Sequence, residues 1–195
     1  MLTIKSLAVL FLMKTMTLTG FSPTFSLSNL QSISMASGEQ PRIYTPLTDD
    51  ELVEVLFDSH VSFFGHQPSP RRLAMAWAQV ALENGHGKYT WNKNLGNVVP
   101  TSQTHGYYLT DSSVKYRSFE SYEEAGIVYW STVNNCDGLM SLFDSGDAPE
   151  VATMLKSCGY YEASVEQYAH SLRLLYVAGM KRNKDERESC YRPIH

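Results

Sequence analysis

Glu83 is the residue best placed to do chemistry, because its carboxyl lies at the junction of an apolar segment and a glycine-containing turn. It follows the apolar run of residues 73–82 and directly precedes Asn84-Gly85-His86-Gly87. Apolar neighbours desolvate a carboxylate and raise its pKa, as a general acid working near neutral pH requires. A negative charge at a helix C-terminus also opposes the helix dipole, which slightly favours a functional reason for this residue. The alternative is an exposed carboxylate at a helix end.

Other chemistries find little support in residue spacing. The six histidines show no H-E-x-x-H or His/Cys pattern, so no metal site and no cofactor are predicted. Three cysteines are too few for a disulfide-stapled scaffold, and none lies in a nucleophile setting. Cys136 and Cys158 can pair if the protein is exported, which would leave Cys190 unpaired. The run N-G-H-G-K lacks the spacing of a phosphate-binding loop.

Helices must hold this carboxyl in place, and capping residues predict where they begin. Ser69-Pro70 starts an apolar helix that is stopped by Gly85, and a capping box of Ser121 with Glu124 starts another. Residues 88–118 are punctuated by Asn, Gly, Thr and Ser, which predicts loops and a small hairpin. Further helices are predicted over 49–59, 150–156 and 164–180. The fold class is mainly α (α+β), with a small irregular β lobe, and Trp77 and Trp130 belong to its core.

Length and composition limit the domain organisation. The 195 residues, 43% hydrophobic with net charge −4, suit one globular domain and give no drive toward nucleic acid or anionic membrane. Residues 1–43 are predicted to be an export segment with a Ser/Pro-rich linker, residues 44–180 the domain, and residues 181–195 a charged tail. The seven-residue apolar run of 7–13 is too short to span a bilayer. The alternative for the N-terminus is a poorly ordered extension.

The segment AWAQVALENGHGKYTWNKNLGNV, residues 76–98, resembles the glucosaminidases of glycoside hydrolase family 73 in the lysozyme-like superfamily. That family has a helix A-Q-x-x-L-E-[ST]-G-[WHY]-G followed by an Asn-rich turn ending N-L-F-G. The matching residues are Ala78, Gln79, Leu82, Glu83, Gly85 and Gly87 in the helix, and Asn92, Asn94, Leu95 and Gly96 in the turn. Asn84 replaces the usual Ser or Thr, and the Phe of the turn is missing.

Two later blocks extend the resemblance over residues 70–176. Residues 116–125 (YRSFESYEEA) are similar to the family's F-R-x-Y-x-S-x-x-E-A element. Residues 159–168 (GYYEASVEQY) are loosely similar to G-Y-A-T-D-P-x-Y, where only Gly159 and Tyr160 match without a shift. The resemblance implies a lysozyme-like fold whose β lobe forms a cleft.

The resemblance implies hydrolysis of the β-1,4-linked glycan of peptidoglycan, with Glu83 as the general acid. A second carboxylate is normally needed, and Asp111 and Glu120 are the candidates, each with a structural alternative as a turn or helix-start residue. Some superfamily members instead use the substrate's N-acetyl group or a positioned water. The candidate substrate-binding residues are His86, Trp91, Asn94, Tyr160 and Tyr161.

The expected activity is that of an N-acetylglucosaminidase, with muramidase or lytic transglycosylase as alternatives. A catalytically silent glycan-binding or structural module is the alternative from another class. The expected partner is the peptidoglycan glycan strand, with no nucleic acid and no stable membrane span. The protein is expected to act as an exported monomer.

Overall fold

The computed structural model describes residues 38–100 and 106–190, and the side chains of the last helix as far as Arg182. These residues form a mainly helical domain with one small sheet, so the predicted fold class is confirmed. The elements are β1 (Gly38–Glu39), α1 (Asp49–Phe64), α2 (Pro70–Asn84), β2 (Gly106–Leu109), β3 (Lys115–Arg117), α3 (Tyr122–Asn134), α4 (Leu139–Ser145), α5 (Ala148–Ser157) and α6 (Val165–Cys190).

Helix α2 is the central element and carries Glu83 in its last turn. It begins as predicted, with the Ser69 hydroxyl accepting the Arg72 N–H at 3.0 Å. It ends at Gly85, which adopts the left-handed conformation that glycine tolerates best. Its apolar residues are buried around most of its circumference, against α1, α4 and α6. A helix covered on several sides is rigid, so the position of Glu83 is fixed by the core.

Several element boundaries differ from those predicted. Helix α1 continues to Phe64, and α6 continues to Cys190 because its charged last turns are rich in the good helix formers Lys, Arg and Glu. Helix α4 was not predicted from the sequence. The capping box at Ser121 forms only in part: its hydroxyl accepts the Glu124 N–H, while the Glu124 carboxylate accepts the N–H of Glu120 instead.

The β lobe contains part of the segment that the sequence assigns to a linker. Strand β2 lies between β1, which runs parallel to it, and β3, which runs antiparallel. Residues 40–45 continue from β1 as an extended arm. The Asn92 side chain holds that arm, because it accepts the Ile43 N–H and donates to the Pro41 carbonyl, both at 2.8 Å. Residues 38–43 are therefore part of the folded unit.

A disulfide joins the ends of two helices. Cys136 follows α3 and Cys158 follows α5, and their Cα atoms lie 6.0 Å apart. The pair that the sequence suggested for an exported protein is thus present in the structure. The bond anchors the chain immediately before Gly159 and Tyr160, where α5 gives way to the connection leading to α6.

The predicted export signal falls on residues outside the described part of the chain. Within the described residues, no helix combines the length and the apolar character that crossing a membrane requires.

Candidate active site

The carboxyl of Glu83 is enclosed although the residue as a whole is only half-buried. Burial raises its pKa from 4.5 to about 7, and hydrogen bonds from Tyr168 and Asn97 oppose part of that rise. The Tyr168 hydroxyl donates to Glu83 Oε1 at 3.1 Å, from the first turns of α6. The amide of Asn97 also donates to the Glu83 carbonyl at 3.4 Å. A carboxyl with this pKa holds its proton in about half of the molecules at neutral pH.

Four tyrosines from different elements surround Glu83 and respond to its charge. They are Tyr116 on β3, Tyr129 on α3, Tyr160 before α6 and Tyr168 on α6. Burial raises the pKa of each phenol above its ordinary value most strongly, and the Glu83 charge raises it further. The phenols therefore stay neutral hydrogen-bonding groups across the physiological pH range. No cation is among the groups that shift the pKa of Glu83.

Asparagine side chains fold the loop after α2 so that it returns to the carboxyl. Asn84 accepts the Gly87 N–H at 2.8 Å and donates to the Leu95 carbonyl at 3.2 Å. Asn94 accepts the Val98 N–H and donates to the Val98 carbonyl, both at 2.8 Å. These bonds hold the loop in a tight shape, in which Asn97 itself has a positive φ of 54°. Asparagine adopts this conformation more readily than most residues.

The two candidate second carboxylates lie elsewhere in the β lobe. Asp111 is on the turn between β2 and β3, where its side chain is fully exposed and pairs with Arg42 at 3.1 Å. Glu120 is exposed before α3, beside a cavity of about 230 Å³ that Lys93 and Phe119 also line. Neither carboxylate hydrogen-bonds Glu83 or is among the groups that shift its pKa.

The five candidate substrate-binding residues divide between the carboxyl and the lobe. Tyr160 is buried beside Glu83, with its hydroxyl close to Gly96. Tyr161 stacks on Tyr168 with ring centroids 3.7 Å apart, and its hydroxyl donates to the Ala152 carbonyl. Tyr161 therefore contacts Tyr168, which in turn forms the hydrogen bond with Glu83.

The remaining three lie in the loop after α2. His86 interacts with Asp49 at 3.3 Å and contacts Trp77 edge-on, on the side of α1. Trp91 packs against the arm of residues 40–45. Asn94 is buried, and its amide bonds the backbone as described above, so it shapes the loop.

Sequence reasoning missed Tyr168, whose hydroxyl donates directly to the Glu83 carboxylate. Its position on the inward face of the last helix predicts a core residue, which is correct, since it is 6% exposed. Helical periodicity gives the face of the helix but not the partner, and Glu83 lies 85 residues away. No local sequence pattern therefore indicates that Tyr168 forms a hydrogen bond with Glu83.

The described fold is that of solved peptidoglycan hydrolases. No protein-family model matches the chain, and no curated protein matches it by sequence. A peptidoglycan hydrolase from Sphingomonas sp. A1 matches at a TM-score of 0.55 and 20% identity, over 74% of this chain and 99% of that one. A mutant of a peptidoglycan hydrolase from the same organism matches at 0.51 and 20%, over 69% and 98%.

A third solved structure, the glycoside hydrolase domain of FlgJ from Salmonella typhimurium, matches at a TM-score of 0.49 and 20% identity, over 74% of this chain and 93% of that one. The fold assignment rests on the two Sphingomonas structures. It confirms the lysozyme-like architecture that the sequence resemblance implies.

Proposed function

We propose that the protein hydrolyses the glycan strand of peptidoglycan, with Glu83 as the general acid. The observation that carries this proposal is a single enclosed carboxyl whose pKa is raised to about 7, at the end of a rigid central helix. General acids work best when their pKa lies near the working pH. The likeness of the fold to peptidoglycan hydrolases supports the choice of substrate.

The proposed reaction transfers the Glu83 proton to the glycosidic oxygen as the bond from that oxygen to the anomeric carbon breaks. Positive charge then develops on the sugar ring, as in other glycosidases. A water molecule adds its oxygen to the anomeric carbon and returns a proton to the Glu83 carboxylate, which restores the acid. Buried neutral phenols around Glu83 exclude bulk water and leave its proton available to the substrate.

The side chains described around Glu83 favour a mechanism without a second carboxylate. Asp111 is fully exposed and paired with Arg42, and Glu120 is exposed before α3, so neither belongs to the buried groups around Glu83. The substrate's own N-acetyl group, or a water held by a phenol such as Tyr160, can supply the nucleophile instead. Both routes, by substrate assistance and by a positioned water, are alternatives that the sequence resemblance left open.

Among glycan-cleaving activities, N-acetylglucosaminidase is our first proposal, with muramidase and lytic transglycosylase as the alternatives. Mass spectrometry of fragments released from purified sacculi distinguishes the three. Reducing N-acetylglucosamine ends are expected, whereas reducing N-acetylmuramic acid ends indicate a muramidase and anhydro ends a transglycosylase. Binding of sacculi without any new ends would indicate a silent glycan-binding module.

We also propose that the protein acts outside the cytoplasm, as a monomer. The Cys136–Cys158 disulfide supports this location, because structural disulfides persist in oxidising compartments. The expected partner is the glycan strand itself.

Tyr168→Phe tests whether the phenol tunes the acid. The Tyr168 hydrogen bond lowers the pKa of Glu83, so its removal should raise that pKa and shift the alkaline limb of kcat/KM to higher pH. We expect a shift of up to about one pH unit, with a loss of rate of about tenfold or less.

The matched control is Tyr176→Phe, which removes a phenol from the same helix two turns later. It should leave the pH profile unchanged. If Tyr168→Phe lowers the rate without moving the alkaline limb, the Tyr168 hydroxyl does not tune the pKa of Glu83.

A further inference from the structure

Arg42 is held against the β lobe by an aromatic ring and a carboxylate. Its guanidinium lies 4.0 Å from the centroid of the Trp91 ring, and Nη1 contacts Asp111 Oδ1 at 3.1 Å. Tyr44 lies on the same side of the arm and packs against Trp91 with ring centroids 5.1 Å apart. Alternate residues of an extended chain point to opposite sides, so the arm directs Arg42 and Tyr44 together toward Trp91.

Two tyrosines on one face of the sheet are neighbours of Arg42 and of Glu83. Tyr108 on β2 and Tyr116 on β3 are paired across the strands, with ring centroids 5.8 Å apart. Tyr116 interacts electrostatically with Glu83, and Tyr108 with Arg42. A pair of adjacent buried phenols therefore connects the surroundings of the acid with those of the guanidinium.

The contact with Asp111 leaves Arg42 able to accept another anion. The Asp111 side chain is fully exposed, and ion pairs with such a group contribute little because water and salt screen them. The Arg42 side chain is 31% exposed. A guanidinium has five N–H donors in a planar fork that matches a carboxylate, and the Asp111 contact uses Nη1.

We propose that Arg42 binds a carboxylate of the substrate, and that this carboxylate belongs to the peptide attached to the glycan. The inference rests on the proposed function, because the β-1,4 glycan backbone and its N-acetyl groups are neutral, whereas the attached peptides carry carboxylates. Trp91 orients the guanidinium by stacking, and Asp111 is the group that the substrate carboxylate displaces. Arg42 is thus a specificity-determining residue for strands whose peptides carry free carboxylates.

The test compares Arg42→Gln and Arg42→Lys with the wild type on two soluble substrates. One is a set of peptide-bearing glycan fragments, and the other is the same set with the peptide carboxylates converted to neutral amides. We expect Arg42→Gln to lower kcat/KM on the fragments with free carboxylates about five- to tenfold, mainly through KM, and to leave kcat/KM on the amide-converted fragments unchanged. Arg42→Lys keeps the positive charge but lacks the planar set of N–H donors. We therefore expect it to lower kcat/KM on the same fragments about two- to threefold.

Lys115→Gln is the matched control. It removes the same charge from a cation that packs on Tyr107 at 4.5 Å, on the opposite face of the same hairpin. It should not discriminate between the two substrates. Arg42→Lys keeps the inference testable if Arg42→Gln does not fold.

If Arg42→Gln lowers kcat/KM equally on both substrates, the inference is overturned, because that result is expected when Arg42 acts only by packing. Wild-type rates for Arg42→Gln on both substrates would overturn it as well, while leaving the proposed function intact. A wild-type protein that cleaves neither substrate would overturn the proposed function and this inference with it.

Discussion

Glu83→Gln is expected to lower glycan release by about 10²- to 10⁴-fold, the range that a general acid contributes. Glutamine has nearly the shape of a protonated glutamate and retains an acceptor for the Tyr168 hydroxyl. It has no acidic proton for the glycosidic oxygen, so the loss should fall on kcat and kcat/KM together.

Release of soluble fragments from sacculi, at equal protein concentration, is the measurement. Glu54→Gln, which neutralises an exposed carboxyl on α1, is the control and should retain the wild-type rate. Equal release by Glu83→Gln and the wild type would contradict the assignment of the acid.

The same substitution should stabilise the fold in alkaline solution. Burial raises the pKa of Glu83 from 4.5 to about 7, so the folded protein holds this proton more tightly than the unfolded chain does. That contribution to stability is fully present below pH 4.5 and is lost as the pH rises through 7. Each pKa unit corresponds to about 1.4 kcal/mol, so Glu83→Gln should gain about 1 to 3 kcal/mol at pH 8. Thermal unfolding of both proteins at pH 4.5 and pH 8 checks the sign.

Cys158→Ser is expected to lower the free energy of unfolding by about 3 kcal/mol, because the disulfide closes a loop with a sequence separation of 22. For a domain of this size, that loss lowers Tm by about 6 to 12 °C. The effect should extend to activity near the lowered Tm, since the bond anchors the chain just before Tyr160. Cys158 is exposed, so serine introduces no buried polar group there.

Thermal unfolding with and without a reductant measures the contribution of the bond. The reductant should lower the Tm of the wild type to that of Cys158→Ser and leave the variant unchanged. Cys190→Ser is the control and should keep the response of the wild type. Equal Tm values for all three proteins would mean that the bond does not stabilise the fold.

The helices around Glu83 were predictable because their boundaries are set locally. Ser69 and Pro70 begin α2, Gly85 ends it, and the apolar positions between them repeat with helical periodicity. The last turn of that helix therefore placed Glu83 correctly. Helix α4 was missed because the residue that precedes it, Gly138, has no side chain to cap the helix.

The surroundings of Glu83 were predictable only in part, because they come from distant segments. A short sequence motif identified Tyr160 as a candidate site residue. Tyr129 and Tyr168 were predicted only to be core residues, because they lie on helices far along the chain from Glu83. The candidate second carboxylates were chosen by their place in the lobe. The direction of a side chain decides which groups it faces, and the Asp111 side chain is directed toward Arg42 on the arm.

The pH dependence of wild-type kcat/KM on soluble peptidoglycan fragments tests the central claim most directly. If Glu83 acts as a protonated general acid, kcat/KM should fall above about pH 7, approaching a tenfold loss for each pH unit. A rate that stays constant from pH 7 to pH 9, or the absence of any cleavage between pH 5 and pH 9, would contradict the account.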